Sequence, residues 1–242
     1  MTAYSHRKAS VIAFYSSWDG KRTYVNPDRV VQTLHRRHIP ADARILDIGF
    51  GNGEIALAVA RAFPQSLVEG IDLTEHNVHL ARRKATDAGI ENVIFRVGDI
   101  ESWQPQESSY DAAYAMQVMQ FIDDPDALLE KLFSALRAGG ALLFATPFLP
   151  ARADMHAFFL DAFSRVIPNS FRYRTEEAWY AGLFDAGFER IYTAKAHWDP
   201  ETQPSQWQTL YRQVVKEHGI DYETARRHTW GGLISARKPK LV

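Results

Sequence analysis

Three alternate glycines lie between two segments of regular structure, and this is the pattern in the sequence that most directly indicates a ligand site. Gly49, Gly51 and Gly53 follow the apolar run 44–48 and precede an alanine-rich helix predicted from Glu54 to Phe63. Glycine allows the tight turn and lets the backbone approach a ligand, because a Cβ atom would block both. The start of the helix adds the positive end of its dipole. The pattern predicts a ligand site at the C-terminal end of the first strand.

Two acidic residues accompany the glycines. Asp47 stands two residues before Gly49, and Asp72 ends the next apolar run. An acid about 20 residues beyond such a turn can accept hydrogen bonds from both hydroxyls of a ribose. Asp72 could instead cap the helix expected to begin near Thr74, and Asp47 could stabilise the turn. The Gly-x-Gly-x-Gly spacing also differs from the Gly-x-Gly-x-x-Gly spacing of a pyrophosphate-binding turn, which disfavours a dinucleotide.

Strands and helices are predicted to alternate along most of the chain. The predicted strands are 44–48, 67–71, 93–97, 110–115, 141–145, 191–196 and 233–237. The predicted helices are 54–63, 74–88, 124–136, 150–166, 175–186 and 204–218. Strands that alternate with helices of this length predict an α/β fold with a mostly parallel sheet covered on both faces.

Five segments of the sequence resemble, in order, the motifs of class I S-adenosylmethionine-dependent methyltransferases. They are Ile45 to Glu54, Val68 to Asp72, Val97 to Ile100, Tyr110 to Ala113 and Arg137 to Leu143. The resemblance covers residues 41–147 and is nearest to the branch that acts on small metabolites and natural products. It implies a Rossmann-like sheet of seven strands, with the final strand inserted antiparallel beside the sixth.

The resemblance also implies which residues contact the cofactor, S-adenosyl-L-methionine. They are Asp47, Gly49, Gly51, Gly53, Met116 and Gln117 at the methionine end, Asp72 at the ribose diol, and Leu73, Asp99 and Ile100 at the adenine. Glu69 departs from the family pattern, because this position in the second strand is usually apolar. We therefore expect Glu69 to lie at an edge or to be exposed.

The acceptor side of the site is expected in segments outside the motifs. The family pattern implies an N-terminal helical lid at 1–40, followed by a methyltransferase domain at 41–242 with inserted lid elements at about 148–174 and 199–230. Tyr15 and Trp18 precede the core and His156 and Phe159 follow the fifth strand, so we expect them to surround one largely apolar pocket. Tyr15 and His156 are the candidate catalytic residues, with His156 as a general base. A single histidine is also commonly a packing or surface residue.

Composition and the remaining motifs narrow the function further. Lys and Arg number 28 against 29 for Asp and Glu, which disfavours a nucleic-acid partner because those proteins usually carry a basic excess. The segment Ala115 to Val118 lacks the proline-aromatic signature of enzymes that methylate nucleobase amines. The chain has no cysteine, which excludes disulfides and cysteine nucleophiles, and its histidines suggest no metal site.

These observations together predict a cytoplasmic enzyme, a monomer or homodimer, that methylates a small and apolar or aromatic acceptor. No apolar run reaches the roughly 20 residues that would cross a bilayer, so no membrane partner is expected. Two alternatives stay open. One is a module that binds S-adenosylmethionine without catalysis, and the other is an NAD-dependent oxidoreductase.

Overall fold

The computed structural model describes residues 3–16, 25–165, 171–197, 201 and 205–240. Its strands are β1 Arg44–Ile48, β2 Leu67–Asp72, β3 Val93–Val97, β4 Tyr110–Met116, β5 Leu136–Phe148, β6 Glu189–His197 and β7 Trp230–Arg237. Its α-helices are α1 Ala3–Ser16, α2 Pro27–Arg36, α3 Glu54–Ala62, α4 Glu75–Asp87, α5 Pro125–Ala135, α6 His156–Ser164, α7 Glu176–Asp185, α8 Ser205–Glu217 and α9 Tyr222–Arg227.

The strands form one seven-stranded sheet in the order β3-β2-β1-β4-β5-β7-β6. The first five strands are parallel, and β7 pairs antiparallel with both β5 and β6. This confirms the predicted fold class, including the inserted antiparallel strand. The chain order reverses between β1 and β4, and open α/β sheets bind ligands at the carboxyl ends of the strands at such a point.

Alternate residues of the strands face two separate apolar cores, which is why both faces of the sheet are covered by helices. Ile45 packs with residues of α2, α3 and α4 on one face. Leu46 and Ile48 pack with residues of α5 and α7 on the other face. Because full burial of one such side chain contributes about 1.5–3 kcal/mol, these layers hold the carboxyl ends of the strands in place.

Glu69 contradicts its sequence-based expectation, since it is buried in a strand that lies inside the sheet. Its exposed fraction is 6%, and β2 is flanked by β1 and β3. The Glu69 carboxylate forms an ion pair with Arg44 of β1 and lies 3.8 Å from the guanidinium of Arg96 on β3. The prediction of an edge or exposed position was wrong, because two cationic neighbours offset the cost of burying the charge.

The other differences concern element boundaries. Strand β5 is longer than the predicted 141–145 at both ends, because Leu136 pairs with Tyr110 of β4 and the pairing with β7 continues to Phe148. The helix predicted at 150–166 is split into a short 3-10 turn at Ala153–Met155 and helix α6. Helix α9 was not predicted. None of the helices in the described ranges has the length and apolar character needed to cross a membrane.

Candidate functional site

The glycine turn after β1 adopts a conformation that few other residues could take. Gly49, Gly51 and Gly53 have φ angles of +64°, +55° and +80°. A Cβ atom on Gly49 would collide with the side chain of Val118, and one on Gly53 would lie 2.7 Å from the Cβ of Ala81. The left-handed conformation and the close packing therefore both require glycine, and they leave bare backbone at the carboxyl end of β1.

Asp72 connects this turn to the beginning of α4. Its Oδ2 accepts a hydrogen bond from the backbone N–H of Gly51 at 2.9 Å. Its Oδ1 accepts bonds from the backbone N–H of Thr74 at 2.9 Å, the Thr74 hydroxyl at 2.7 Å and the Asn77 amide at 3.2 Å. The hydroxyl of Thr74 thus bonds to Asp72 instead of capping α4. Asp72 also lines a cavity above the strand ends.

Asp47 is the most unusual ionisable group of the site. It is 2% exposed, and its Oδ2 has no hydrogen-bond partner within the described part of the chain. Burial raises the pKa of Asp47 from 3.8 to about 8, and the nearby Asp72 carboxylate adds to the increase, while the hydroxyl of Tyr114 opposes it. A buried carboxylate with an unsatisfied oxygen is costly, and a cationic group of a ligand would relieve that cost.

Helix α1 forms part of the cavity wall. Lys8, Val11 and Tyr15 recur at spacings of three and four residues, which places them on one helical face, and all three line the cavity. Lys8 forms ion pairs with Asp99 and, at 3.1 Å, with Glu101. The sequence reasoning missed Lys8, although its spacing from Tyr15 was a signal that could have indicated it.

Tyr15 lies at another part of the same cavity. Its ring packs edge to face against Phe121, with 5.9 Å between the ring centroids. Phe121 follows β4 and in turn packs against Phe171 at 5.0 Å. Trp18, predicted to lie beside Tyr15, falls outside the described residues.

The predicted cofactor residues meet at this cavity, with the exception of Gly53, which precedes α3 and packs against α4. The lining residues among them are Asp47, Gly49, Gly51, Asp72, Leu73, Asp99, Ile100, Met116 and Gln117. Gln117 has a φ of +61°, an uncommon angle for a residue other than glycine, and its backbone N–H donates to the carbonyl of Ala145 at 2.8 Å. Such a conformation commonly marks a functional site.

His156 lies elsewhere. It is the first residue of α6, and its Nε2 is 2.7 Å from the carbonyl oxygen of Pro150. His156 is not among the described residues that line the cavity. Phe159 is fully buried in a core cluster with Phe163. The role of His156 as a base stays a prediction.

The residues at the strand ends fit the chemistry of S-adenosylmethionine. The cofactor carries an ammonium group, a ribose diol and an adenine amino group, which are hydrogen-bond donors spread along its length. Carboxylates occur in the same cavity at Asp47, Asp72 and Asp99, at the ends of three neighbouring strands. The unsatisfied oxygen of Asp47 in particular matches a cationic partner.

Comparisons with known proteins agree with the fold and with the cofactor. A family model described as a methyltransferase domain matches residues 45–140. A trans-aconitate 2-methyltransferase of Variovorax paradoxus is 29% identical over 218 residues, which cover 88% of this chain and 77% of the relative. A ubiquinone biosynthesis O-methyltransferase of Xanthomonas axonopodis is 33% identical over 123 residues, about half of each chain.

Solved structures resemble the whole fold. The YcgJ protein of Bacillus subtilis has a TM-score of 0.71 at 20% identity, over 89% of this chain and 98% of that one. A phosphoethanolamine N-methyltransferase of Haemonchus contortus, solved with S-adenosylhomocysteine, has a TM-score of 0.71 at 20% identity and covers 99% of this chain and 61% of that one. Identities this low establish the fold alone.

A Rossmann-like sheet with a glycine turn and carboxylates at three neighbouring strand ends defines a protein class that binds a nucleoside-bearing ligand. The order of the sequence motifs and the match to the family model define this class more narrowly than the fold does. The matched domain and the relatives named as methyltransferases support a class I S-adenosylmethionine-dependent methyltransferase that acts on small molecules. It is an enzyme whose cofactor is S-adenosylmethionine. Neither the oxidoreductase nor the non-enzymatic alternative is favoured by these matches.

Proposed function

We propose that this enzyme methylates a neutral, apolar or aromatic small molecule that binds between α1 and the segment following β4. The observation that carries this proposal is the character of the cavity wall near Tyr15. The cavity lining includes Val11, Tyr15, Val118 and Phe121, which carry no charge, and the rings of Tyr15 and Phe121 pack against each other. An uncharged aromatic wall favours an acceptor with an apolar body.

The charges of the cavity support the same acceptor class. Among the described lining residues, Lys8 is the only lysine or arginine, and its ammonium group is paired with Asp99 and Glu101. Among the described lining residues, a polycarboxylate would find no cationic group that is not already in an ion pair, and burying its charges there would be unfavourable. For this reason we propose a neutral acceptor, although one relative is named for trans-aconitate.

The cofactor residues act as follows in this proposal. Asp47 accepts from the ammonium group, and the backbone of the glycine turn contacts the methionine portion. Asp72 accepts from the ribose diol through lone pairs beyond its bonds to Gly51 and Thr74. The remaining cofactor contacts are those of Leu73, Asp99 and Ile100 with the adenine and of Met116 and Gln117 with the methionine end.

S-adenosylmethionine supplies an electrophilic methyl group when bound, so the protein has mainly to position the acceptor and exclude water. Tyr15 is proposed to hold the acceptor as part of the lid at 1–40, with further lid elements at about 148–174 and 199–230. His156 is proposed to remove the proton of the acceptor. Orientation of two reactants can contribute about 7–11 kcal/mol, so positioning of the acceptor is the larger part of the protein's task.

The proposal also covers the cellular location, the oligomeric state and the partners of the enzyme. We place it in the cytoplasm, as a monomer or homodimer, without a nucleic-acid partner. The near balance of 28 basic and 29 acidic residues supports the last point.

The test has two parts, cofactor binding and acceptor choice. Calorimetry should give micromolar binding of S-adenosylhomocysteine and no comparable binding of NAD. Release of S-adenosylhomocysteine should then be measured with 2-naphthol, a neutral aromatic acceptor, and with trans-aconitate. We expect turnover with 2-naphthol to exceed turnover with trans-aconitate. Faster turnover with trans-aconitate would contradict the acceptor class, and NAD binding in place of S-adenosylhomocysteine would contradict the whole assignment.

A further inference from the structure

Tyr114 is a buried tyrosine whose hydroxyl is not explained by packing. It lies in β4 between small residues such as Ala113 and Ala115, and its side chain is fully buried. Within the described part of the chain, the hydroxyl has no hydrogen-bond partner. An unsatisfied buried hydroxyl costs about 1–3 kcal/mol, and phenylalanine would fill the same space without that cost. A tyrosine at this position therefore indicates a use for the hydroxyl.

The group opposite this hydroxyl is the Asp47 carboxylate. Asp47 and Tyr114 are Cα partners in the pairing of β1 with β4, so their side chains lie side by side on one face of the sheet. Neither Asp47 Oδ2 nor Tyr114 Oη meets the geometry of a hydrogen bond, but the hydroxyl is near enough to lower the pKa of the carboxyl.

The other charged groups around Asp47 cannot serve the same purpose. Asp72, from the end of β2, is an acid and raises the pKa of Asp47. Lys8 of α1 lines the same cavity, but it forms its ion pairs with Asp99 and Glu101. Of these described neighbours, Tyr114 is the one placed to donate to Asp47.

We propose that Tyr114 is a positioning residue of the cofactor site, whose hydroxyl donates to the Asp47 carboxylate and holds it ionised for the cofactor ammonium group. The inference rests on the proposed role of Asp47. Tyr114 acts as a donor and not as a base, because burial and the nearby Asp47 raise its own pKa well above the ordinary value. Without the hydroxyl, less of the carboxylate would be ionised at neutral pH, and the ammonium group would lose its partner.

The test replaces the hydroxyl while keeping the ring. Tyr114→Phe should weaken S-adenosylhomocysteine about tenfold near neutral pH, in line with the loss of a hydrogen bond to a charged group. NMR titration of the Asp47 carboxyl carbon in the cofactor-free protein should show its midpoint move to higher pH. In the wild-type protein, the ring signals of Tyr114 should shift at the same midpoint as Asp47.

Two controls separate positioning from a merely structural role. Methylthioadenosine lacks the ammonium group, so its affinity should be the same for Tyr114→Phe and the wild type. Tyr110→Phe removes a hydroxyl from the same strand, but Tyr110 packs in the core on the other face of the sheet and should leave the Asp47 titration unchanged.

An unchanged Asp47 titration in Tyr114→Phe would overturn the proposal, as would equal losses of affinity for methylthioadenosine and S-adenosylhomocysteine. Wild-type protein that binds methylthioadenosine as tightly as S-adenosylhomocysteine would instead contradict the role of Asp47. The failure of this inference and the failure of the proposed function are therefore distinguishable.

Discussion

Replacing Asp47 with asparagine should make the cofactor-free protein more stable and at the same time prevent cofactor binding. The cause is the buried carboxylate, whose pKa is raised from 3.8 to about 8. Because the folded-state pKa lies above the unfolded value, the stability that this group contributes is complete below about pH 4. It is lost progressively as the pH rises to about 8.

The size of the effect follows from the same values. A difference of about four pKa units, at about 1.4 kcal/mol each, sets a ceiling of about 6 kcal/mol for the stability lost between those pH values. Local relaxation and water reduce this ceiling, and the new asparagine amide leaves a donor that is itself unsatisfied, at a cost of about 1–3 kcal/mol. We therefore expect Asp47→Asn to be about 1–3 kcal/mol more stable than the wild type above about pH 8 and no more stable below about pH 4.

Urea unfolding of both proteins at a series of pH values from about 4 to about 9 measures this difference directly. Calorimetry on the same samples should show that Asp47→Asn has lost S-adenosylhomocysteine binding. Asp87→Asn, at the exposed end of α4, is the matched control and should unfold like the wild type throughout. A stability difference between Asp47→Asn and wild type that does not change with pH would refute the reasoning, since burial of a titrating charge must appear as a pH-dependent term.

Three further substitutions test other parts of the site. Asp72→Ala should weaken S-adenosylhomocysteine by about 1–3 kcal/mol in calorimetry and lower the free energy of unfolding, because its carboxylate also joins the glycine turn to α4; unchanged affinity would contradict its role at the ribose. Lys8→Met should speed the release of S-adenosylhomocysteine about threefold or more in stopped-flow measurements, because the ion pairs that join α1 to the other side of the cavity lining at Asp99 and Glu101 are lost. Lys195→Met, which removes the ion pair of Lys195 with Glu176 on β6 and α7, should not change this rate. His156→Ala should lower the rate of methyl transfer while leaving cofactor affinity intact, and an unchanged rate would remove His156 from the mechanism.

The sequence by itself determined the fold class and the cofactor. The bounds of β1 and β3 were predicted to the residue, and the resemblance implied the final strand antiparallel beside the sixth. These features are readable because they depend on local requirements. An apolar run forms a buried strand, and Gly49 must be glycine to adopt a left-handed φ beside Val118.

Only the tertiary structure decided how individual charged groups are used. Glu69 was expected to be exposed and is buried, because Arg44 and Arg96 reach it from the two neighbouring strands. Lys8 acquires its role from ion pairs with acids more than 90 residues away in the chain. None of these ion-pair partners is close in the sequence to the residue with which it pairs.

The same holds for Asp47. Its position before the glycines was sufficient to indicate a ligand contact, but its raised pKa and its pairing with Tyr114 depend on which strand lies beside β1 and in which register. Burial and pairing are set by long-range strand contacts, and the energy of a charge depends on the dielectric and the partners that those contacts create. A local sequence pattern therefore identifies the residue, whereas the sheet determines its chemistry.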